Sequence, residues 1–162
     1  MLFKAAVFGF LPALSLATPF PLPQNAGNSP GSNMCDASTF NNGKTYNIIQ
    51  APVSDCRALI AGVNRSGTFS LSHSWARPYV QGNCAFTVRV IAGTKPGLVG
   101  GADIVDLVTD SISKFQESGY VACQGQFQQF VSAEGEVDCN AIGGDKVRVE
   151  WILASTAYNP PN

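Results

Sequence analysis

Charge is scarce in this sequence of 162 residues, and histidine is almost absent. Only 13% of the residues are charged, the formal net charge is −1, and the single histidine is His73. Nucleic acids and anionic membranes attract strongly basic proteins, so this balance argues against nucleic acid as a partner. No nucleotide-binding or metal-binding motif occurs, and we expect no cofactor and no metal.

Long apolar runs are also absent, except at the N-terminus. Lys4 precedes the apolar segment Ala5–Leu16, which is too short to span a bilayer but typical of the core of a signal peptide. Small residues at the −3 and −1 positions predict cleavage after Ala17. A buried N-terminal helix is the alternative, and Pro12 argues against it. We interpret residues 1–17 as a signal peptide and expect a secreted, extracellular protein without a transmembrane segment.

The remaining sequence predicts one domain with flexible ends. Residues 18–33 hold four prolines and two glycines without periodicity, which predicts a linker or a propeptide. The domain itself is expected over residues 34–155, which is long enough to bury a core. Residues 156–162 end in Asn-Pro-Pro-Asn, and we expect this tail to fray.

Five cysteines follow the signal peptide, and in an exported protein cysteines usually pair as disulfides: Cys35, Cys56, Cys84, Cys123 and Cys139. Zinc is the alternative, but no Cys-x2-Cys pair occurs and one histidine is too few. Spacing does not determine connectivity. We favour Cys56–Cys84, which would join a helix stripe to an apolar strand, and Cys35–Cys139, which would join the start of the domain to the segment before its last strand. Cys123 is then unpaired, and it is either buried or joins a second chain as a dimer.

Apolar periodicity predicts two helices and about five strands. The helices are expected over 52–63 and 103–115, with Gly119 as a C-terminal cap of the second. Strands are expected over 68–72, 84–91, 120–131 and 146–153, with short strands or extended segments over 38–40, 45–50 and 75–80. Segments 93–101 and 132–144 are expected to be loops. Short connections favour antiparallel pairing, so we predict an α+β sandwich with one antiparallel sheet and both helices on one face.

Candidate catalytic and metal-binding residues are few. An exposed loop position is the simplest interpretation of His73, and the predicted helix carries Asp103, Asp106 and Asp110 at the spacing of a solvated face. Calcium is conceivable at Glu134, Glu136 and Asp138, but the Asp-x-Asp-x-Asp-Gly pattern is absent. Because no nucleophile, base and orienting group stand out together, we expect no enzyme.

A binding surface is better supported by the segment before Cys84. Trp75, Arg77 and Tyr79 alternate there, and on one face they would form an aromatic and cationic patch for a sugar or a protein. The alternative is that Trp75 anchors the core. Asn64 begins an Asn-x-Ser sequon after the first helix, which predicts an exposed glycosylation site.

A series of short motifs occurs in one order along the domain. These are Cys-Asp-x-Ser-Thr-Phe at 35–40, Asp55-Cys56 at a helix start, Trp75, Cys84-Ala85-Phe86, Asp-Ile-Val-Asp-Leu at 103–107, Ser111-Ile112, Phe115, Gly119, Cys139 and 147–152. Together they resemble the extracellular-protein-two effectors of plant-pathogenic fungi, also known as necrosis-inducing factors. The resemblance covers nearly the whole predicted domain.

This resemblance implies secretion into the host apoplast and a virulence or necrosis-inducing role. It implies disulfides at the four cysteines that match the family's, which are Cys35, Cys56, Cys84 and Cys139; Cys123 is additional. The chain is also similar to fungal and viral killer toxins, whose α/β sandwich fits the predicted fold. The family has no established catalytic residues to carry over.

We therefore expect a secreted, non-catalytic effector whose target is a host or competitor protein, a membrane component or a glycan. The alternatives are an antimicrobial killer-like toxin, a cell-wall polysaccharide-binding module and an uncommon hydrolase.

Overall fold

Two helices and ten strands form the part of the chain that the computed structural model describes, which is residues 31–121 and 126–162. The strands and helices are β1 (Asn41–Asn42), β2 (Ala51–Pro52), α1 (Val53–Gly62), β3 (Thr68–Leu71), β4 (Ala76–Gln81), β5 (Cys84–Ala92), β6 (Gly97–Gly100), α2 (Gly101–Phe115), β7 (Glu117–Val121), β8 (Gln126–Val131), β9 (Ala133–Asn140) and β10 (Lys146–Ser155). The predicted signal peptide, residues 18–30 and Cys123 lie outside the described residues.

The main sheet has five antiparallel strands in the order β1-β9-β10-β5-β4. Its central strand, β10, pairs along most of its length with both β5 and β9. Alternate residues of β10 point to one face, and these are all at most 3% exposed: Val147, Val149, Trp151 and Leu153. This alternation was expected from the sequence, and the predicted α+β fold is confirmed.

Both helices contribute to the core on that same side of the sheet, which we call the inner face. α2 buries Ile104, Val108 and Ile112, and α1 buries Leu59, in one cluster with the inward residues of β5, β9 and β10. Two smaller antiparallel sheets, β2-β8-β7 and β3-β6, complete this layer. The opposite side of the main sheet, the outer face, has no helix from the described residues in its apolar cluster.

Two disulfides attach other parts of the chain to the inner face. Cys56–Cys84 joins α1 to the start of β5, and Cys35–Cys139 joins the start of the domain to β9. The structure therefore brings together the two pairs that the sequence favours. The end of the predicted linker is also anchored, because Ser32 donates its N–H to the carbonyl oxygen of Arg65 at 2.7 Å.

Strands β6 and β9 lie where the sequence predicts loops, at 93–101 and 132–144. In β9 the inward positions are mostly small residues, including Ala133 and Gly135, and the outward ones are polar, so the apolar alternation is weak. Gly135 is required there, because a β-carbon would lie 2.8 Å from Cζ2 of Trp151 and 2.0 Å from the carbonyl oxygen of Thr39. A strand that contacts a tryptophan in this way shows little hydrophobic signal of its own.

The long strand expected over 120–131 is two strands, β7 and β8, which pair with each other. Gly119 does not cap α2, because the helix ends at Phe115 with Gln116 already extended, and Gly119 pairs with Gln128 inside β7. The segments 38–40 and 45–50 are not strands; a 3₁₀ helix at Gly43–Tyr46 separates β1 from β2.

None of the helices within 31–121 and 126–162 is long and apolar enough to cross a membrane.

Candidate functional site

Charged side chains of alternating sign cover much of the outer face. Arg89 on β5 pairs with Glu150 on β10 at 2.9 Å. Beside them, Arg148 contacts Glu136 at 3.2 Å and Asp138 at 2.5 Å, both on β9. Cross-strand register places Arg89 opposite Glu150 and Arg148 opposite Asp138, which is the arrangement in which opposite charges stabilise a sheet. Glu136 lies opposite Glu150, and Arg148 reaches it diagonally. The outer face is therefore a ladder of ion pairs across three strands.

The carboxyl groups of this ladder differ in acidity. Burial raises the pKa of Glu134, and the neighbouring negative charge of Glu150 raises it further. The hydrogen bond from Arg148 lowers the pKa of Asp138 instead. The outer face thus holds one carboxyl group with a raised pKa, Glu134, and one with a lowered pKa, Asp138.

A small apolar cluster lies next to the charged ladder. Ile48, Ile152 and Ala154 are buried there, and Trp75 and Tyr158 pack against them. The guanidinium carbon of Arg89 lies 4.3 Å from the ring centroid of Trp75. One ring face of this tryptophan is therefore already occupied by a cation.

The C-terminal tail crosses this part of the outer face, in contrast to the fraying that the sequence predicts. Trp75 donates its indole N–H to the carbonyl oxygen of Pro161 at 2.9 Å. Arg77 donates to the carbonyl oxygens of Thr156 at 3.3 Å and Tyr158 at 2.5 Å, and to Oδ1 of Asn159 at 3.2 Å. Trp75 and Arg77 thus hold the tail at several points.

Tyr79 lies away from the other two residues of the predicted patch. A bulge interrupts the pairing of β4 with β5 between Ala76 and Tyr79. After the bulge, the Tyr79 ring packs edge-on against Phe69 at 5.3 Å, and its hydroxyl accepts a hydrogen bond from the N–H of Asn64. The structure brings Trp75 and Arg77 together and places Tyr79 beside the core.

Asn64, the predicted glycosylation site, lies in the turn after α1. Its side chain is exposed, and its Oδ1 accepts a hydrogen bond from the N–H of Ser66. Exposure is what a glycan requires, and glycosylation of Asn64 stays a prediction.

Two acidic residues of α2, Asp103 and Asp110, have local structural partners, whereas Asp106 is exposed. Asp103 is buried, so the solvated helix face that the sequence predicts holds for Asp106 and Asp110 but not for Asp103. The Asp103 carboxylate accepts hydrogen bonds from the N–H groups of Gly100, Met34 and Cys35, at 2.8, 2.8 and 3.3 Å. Burial raises the pKa of Asp103, and these hydrogen bonds oppose that shift. Asp103 therefore fastens the start of the domain to the helix N-terminus. Asp110, one turn from the helix end, pairs with Lys114.

The remaining chemical candidates are dispersed. His73 is exposed, and its Nε2 lies 2.9 Å from the carbonyl oxygen of Gly93. Glu134, Glu136 and Asp138 lie on strand β9 and not in the loop that the sequence predicts. Within residues 31–121 and 126–162, no three His, Cys, Asp or Glu side chains are grouped closely enough to hold a metal ion.

Sequence reasoning missed most of the outer face. Arg89, Glu150 and Tyr158 could not be assigned to a common surface before the strand register and the path of the tail were known. The alternation of Lys146, Arg148 and Glu150 along β10 was the signal that pointed to a polar face opposite the core.

Two sequence comparisons relate this chain to known proteins. Residues 34–139 match the Hce2 family, described as "Pathogen effector; putative necrosis-inducing factor". The chain is also 28% identical over 127 residues to a protein of Penicillium expansum named "Probable chitinase LysM18". That alignment covers 76% of this chain and 8% of the relative's length.

Proposed function

Because this chain belongs to the Hce2 family of pathogen effectors, we propose that it is secreted and acts by binding a host or competitor target, without catalysing a reaction. The outer face of the main sheet is the surface that we assign to this binding. Two disulfides support export, because such bonds persist in oxidising compartments.

The observation that carries the proposal is the combination of groups around Trp75. Aromatic residues and arginine are enriched where proteins bind one another, because they combine apolar area with directed hydrogen bonds. Trp75, Arg77 and Arg89 lie on one side of the sheet, beside a cluster that includes Tyr158. The inner face, in contrast, is buried against the helices.

The second candidate function is binding of a cell-wall polysaccharide. An antimicrobial toxin that acts at the wall of a competitor would be one form of it. Two observations favour it: the relative named as a chitinase, and the half-buried Trp75 beside carboxylates on the outer face. Sugars bind aromatic side chains and carboxylates of this kind. On this view the chain would attach to chitin or glucan.

The test is to apply the mature chain, residues 18–162, to plant leaves and to cultures of fungi and bacteria. We expect cell death or growth arrest that disappears when the disulfides are reduced and alkylated. The outer-face variant Arg89→Gln should lower the activity, whereas the matched variant Lys95→Gln, at an exposed loop residue, should keep it. Equal activity of both variants would remove the outer face from the proposal, and inactivity of the folded chain on every organism would contradict the effector function.

Binding to insoluble chitin or glucan, measured by sedimentation in parallel, would favour the second candidate. Retention of the chain in the pellet and its loss in Arg89→Gln would assign the polysaccharide to the outer face.

A further inference from the structure

The tail provides a direct indication of what the outer face binds, because it already lies there. Trp75 and Arg77 contact it through four acceptors, of which three are main-chain carbonyl oxygens, those of Thr156, Tyr158 and Pro161. Contacts to main-chain carbonyls read the path of a segment and not its side chains. Thr156 and Ala157 form a turn, which the N–H of Tyr158 closes by donating to the carbonyl oxygen of Ser155 at 2.9 Å. The same two donors would therefore serve another segment whose carbonyl oxygens follow this path.

The hydrogen-bonding groups of the outer face and of the tail are complementary. An indole N–H and a guanidinium donate hydrogen bonds and accept none. Pro160 and Pro161 lack a backbone N–H, so this end of the tail presents mainly acceptors. Proline also restricts the backbone of the free segment, which lowers the entropy lost on binding.

One side chain of the tail anchors it to the sheet. Tyr158 packs against the apolar cluster of Ile48, Ile152 and Ala154. Burial raises the pKa of the Tyr158 hydroxyl, and the nearby Glu134 and Glu150 raise it further. Because the Tyr158 ring packs in this way, we expect the outer face to bind segments with an aromatic residue followed two residues later by proline.

We propose that the outer face is a peptide-binding surface and that the tail, Thr156–Asn162, occupies it in the free protein. The partner would be a protein that displaces the tail with a segment carrying an aromatic residue before prolines. This inference rests on the proposed function, and it names the partner class of the same face.

A peptide fits this face better than a sugar does. Sugars stack on open aromatic faces, but the guanidinium of Arg89 already covers one face of Trp75, and the indole N–H is directed to a carbonyl oxygen. The tail joins β10 directly, without a linker. A tethered segment has an effective concentration of about a millimolar or more, so it competes strongly with a free peptide.

The experiment measures binding of a labelled heptapeptide, Thr-Ala-Tyr-Asn-Pro-Pro-Asn, to the mature full-length chain by fluorescence anisotropy. The variant Tyr158→Ala removes the anchor of the tail and leaves Trp75 and Arg77 unchanged. We expect the peptide to bind this variant at least about tenfold more tightly than the unmodified chain, because the competitor is weakened. Adding Arg77→Gln to Tyr158→Ala should reverse the gain.

Two controls distinguish a specific change in peptide binding from damage to the fold. A peptide with alanine in place of its tyrosine and prolines should not bind. The variant Pro160→Ala with Pro161→Ala changes no residue of the apolar cluster and should also increase peptide binding, with an unchanged near-ultraviolet circular dichroism spectrum.

Failure of the peptide to bind either folded tail variant would overturn the proposal. Binding of an N-acetylglucosamine hexamer to those variants, without peptide binding, would overturn it as well and assign the face to sugars. The titration uses purified protein and does not depend on cell death. A chain that is active on cells but binds no peptide would therefore contradict only the peptide-binding proposal and leave the effector function supported.

Discussion

The inner and outer faces of the main sheet are built from the same strands but have different chemistry. The inner face presents Phe86, Val88 and Val90 of β5, each at most 1% exposed, and it carries both disulfides. The outer face presents ion pairs and a small apolar cluster under the tail. Most of the apolar burial therefore lies on the inner face, and the outer face is mainly polar.

The two tryptophans make the comparison concrete. Trp151 on the inner face is fully buried, donates its indole N–H to Ser38 at 2.8 Å, and contacts the rings of Phe40 and Phe86. Trp75 on the outer face is half-buried and bonds to the tail. The same residue type thus serves the core on one side and a surface contact on the other.

The largest effect should come from the disulfide that closes the longer loop. Cys35 and Cys139 are 104 residues apart, and replacing both with serine restores the loop-closure entropy of the unfolded chain. We expect the free energy of unfolding to fall by about 5 kcal/mol, measured by urea denaturation. A loss below about 1 kcal/mol would mean that the Cys35–Cys139 disulfide contributes little to stability.

Trp151→Ala should be the next most damaging change, because it leaves a large cavity between the sheet and the helices. We expect a loss of about 4 kcal/mol in the free energy of unfolding. The matched variant Trp75→Ala should lose no more than about 2 kcal/mol, since that ring is half-buried. Similar losses for the two variants would contradict the larger contribution of the inner face to stability.

Arg89→Gln removes an ion pair and a cation–π contact from the outer face. The side chains of Arg89 and Glu150 are 23% and 26% exposed, so we expect a loss of about 1 kcal/mol that shrinks at high salt. Urea denaturation at low and high ionic strength measures it. A loss that is independent of salt would point to packing as the cause.

The smallest effect concerns the pH dependence of stability. The folded pKa of Glu134 lies above its unfolded value, so its contribution is full below the unfolded pKa and is lost as pH rises through the folded pKa. Glu134→Gln should therefore raise the stability at neutral pH by less than about 1 kcal/mol, because the group is only partly buried and solvent screens its charge.

Urea midpoints between about pH 2 and pH 7 test this sign, because the pKa of Asp138, which serves as the control, is lowered from its ordinary value of 3.8. The control is Asp138→Asn, which removes a group with a lowered pKa and should act in the opposite direction, losing stability at neutral pH. Parallel pH profiles for the two variants would contradict the assignment of Glu134.

The sequence by itself determined the elements with strong local periodicity. The apolar stripes of α1 and α2, and the alternation in β5 and β10, are written in neighbouring residues, because burial on one face repeats every 3.6 or 2 positions. The cysteine pairing could be favoured from the positions of Cys56 and Cys84 on those elements. The resemblance to the effector family came from short motifs spread over the same segments.

Only the tertiary structure decided which residues share the outer face. β9 shows little apolar pattern because Trp151 fills the space that its glycine leaves, and the bulge in β4 separates Tyr79 from Trp75 and Arg77. The tail is ordered by donors more than 70 residues earlier in the sequence, and nothing local to its own residues predicts them. Contacts between distant segments depend on strand register and chain path, which local patterns do not contain.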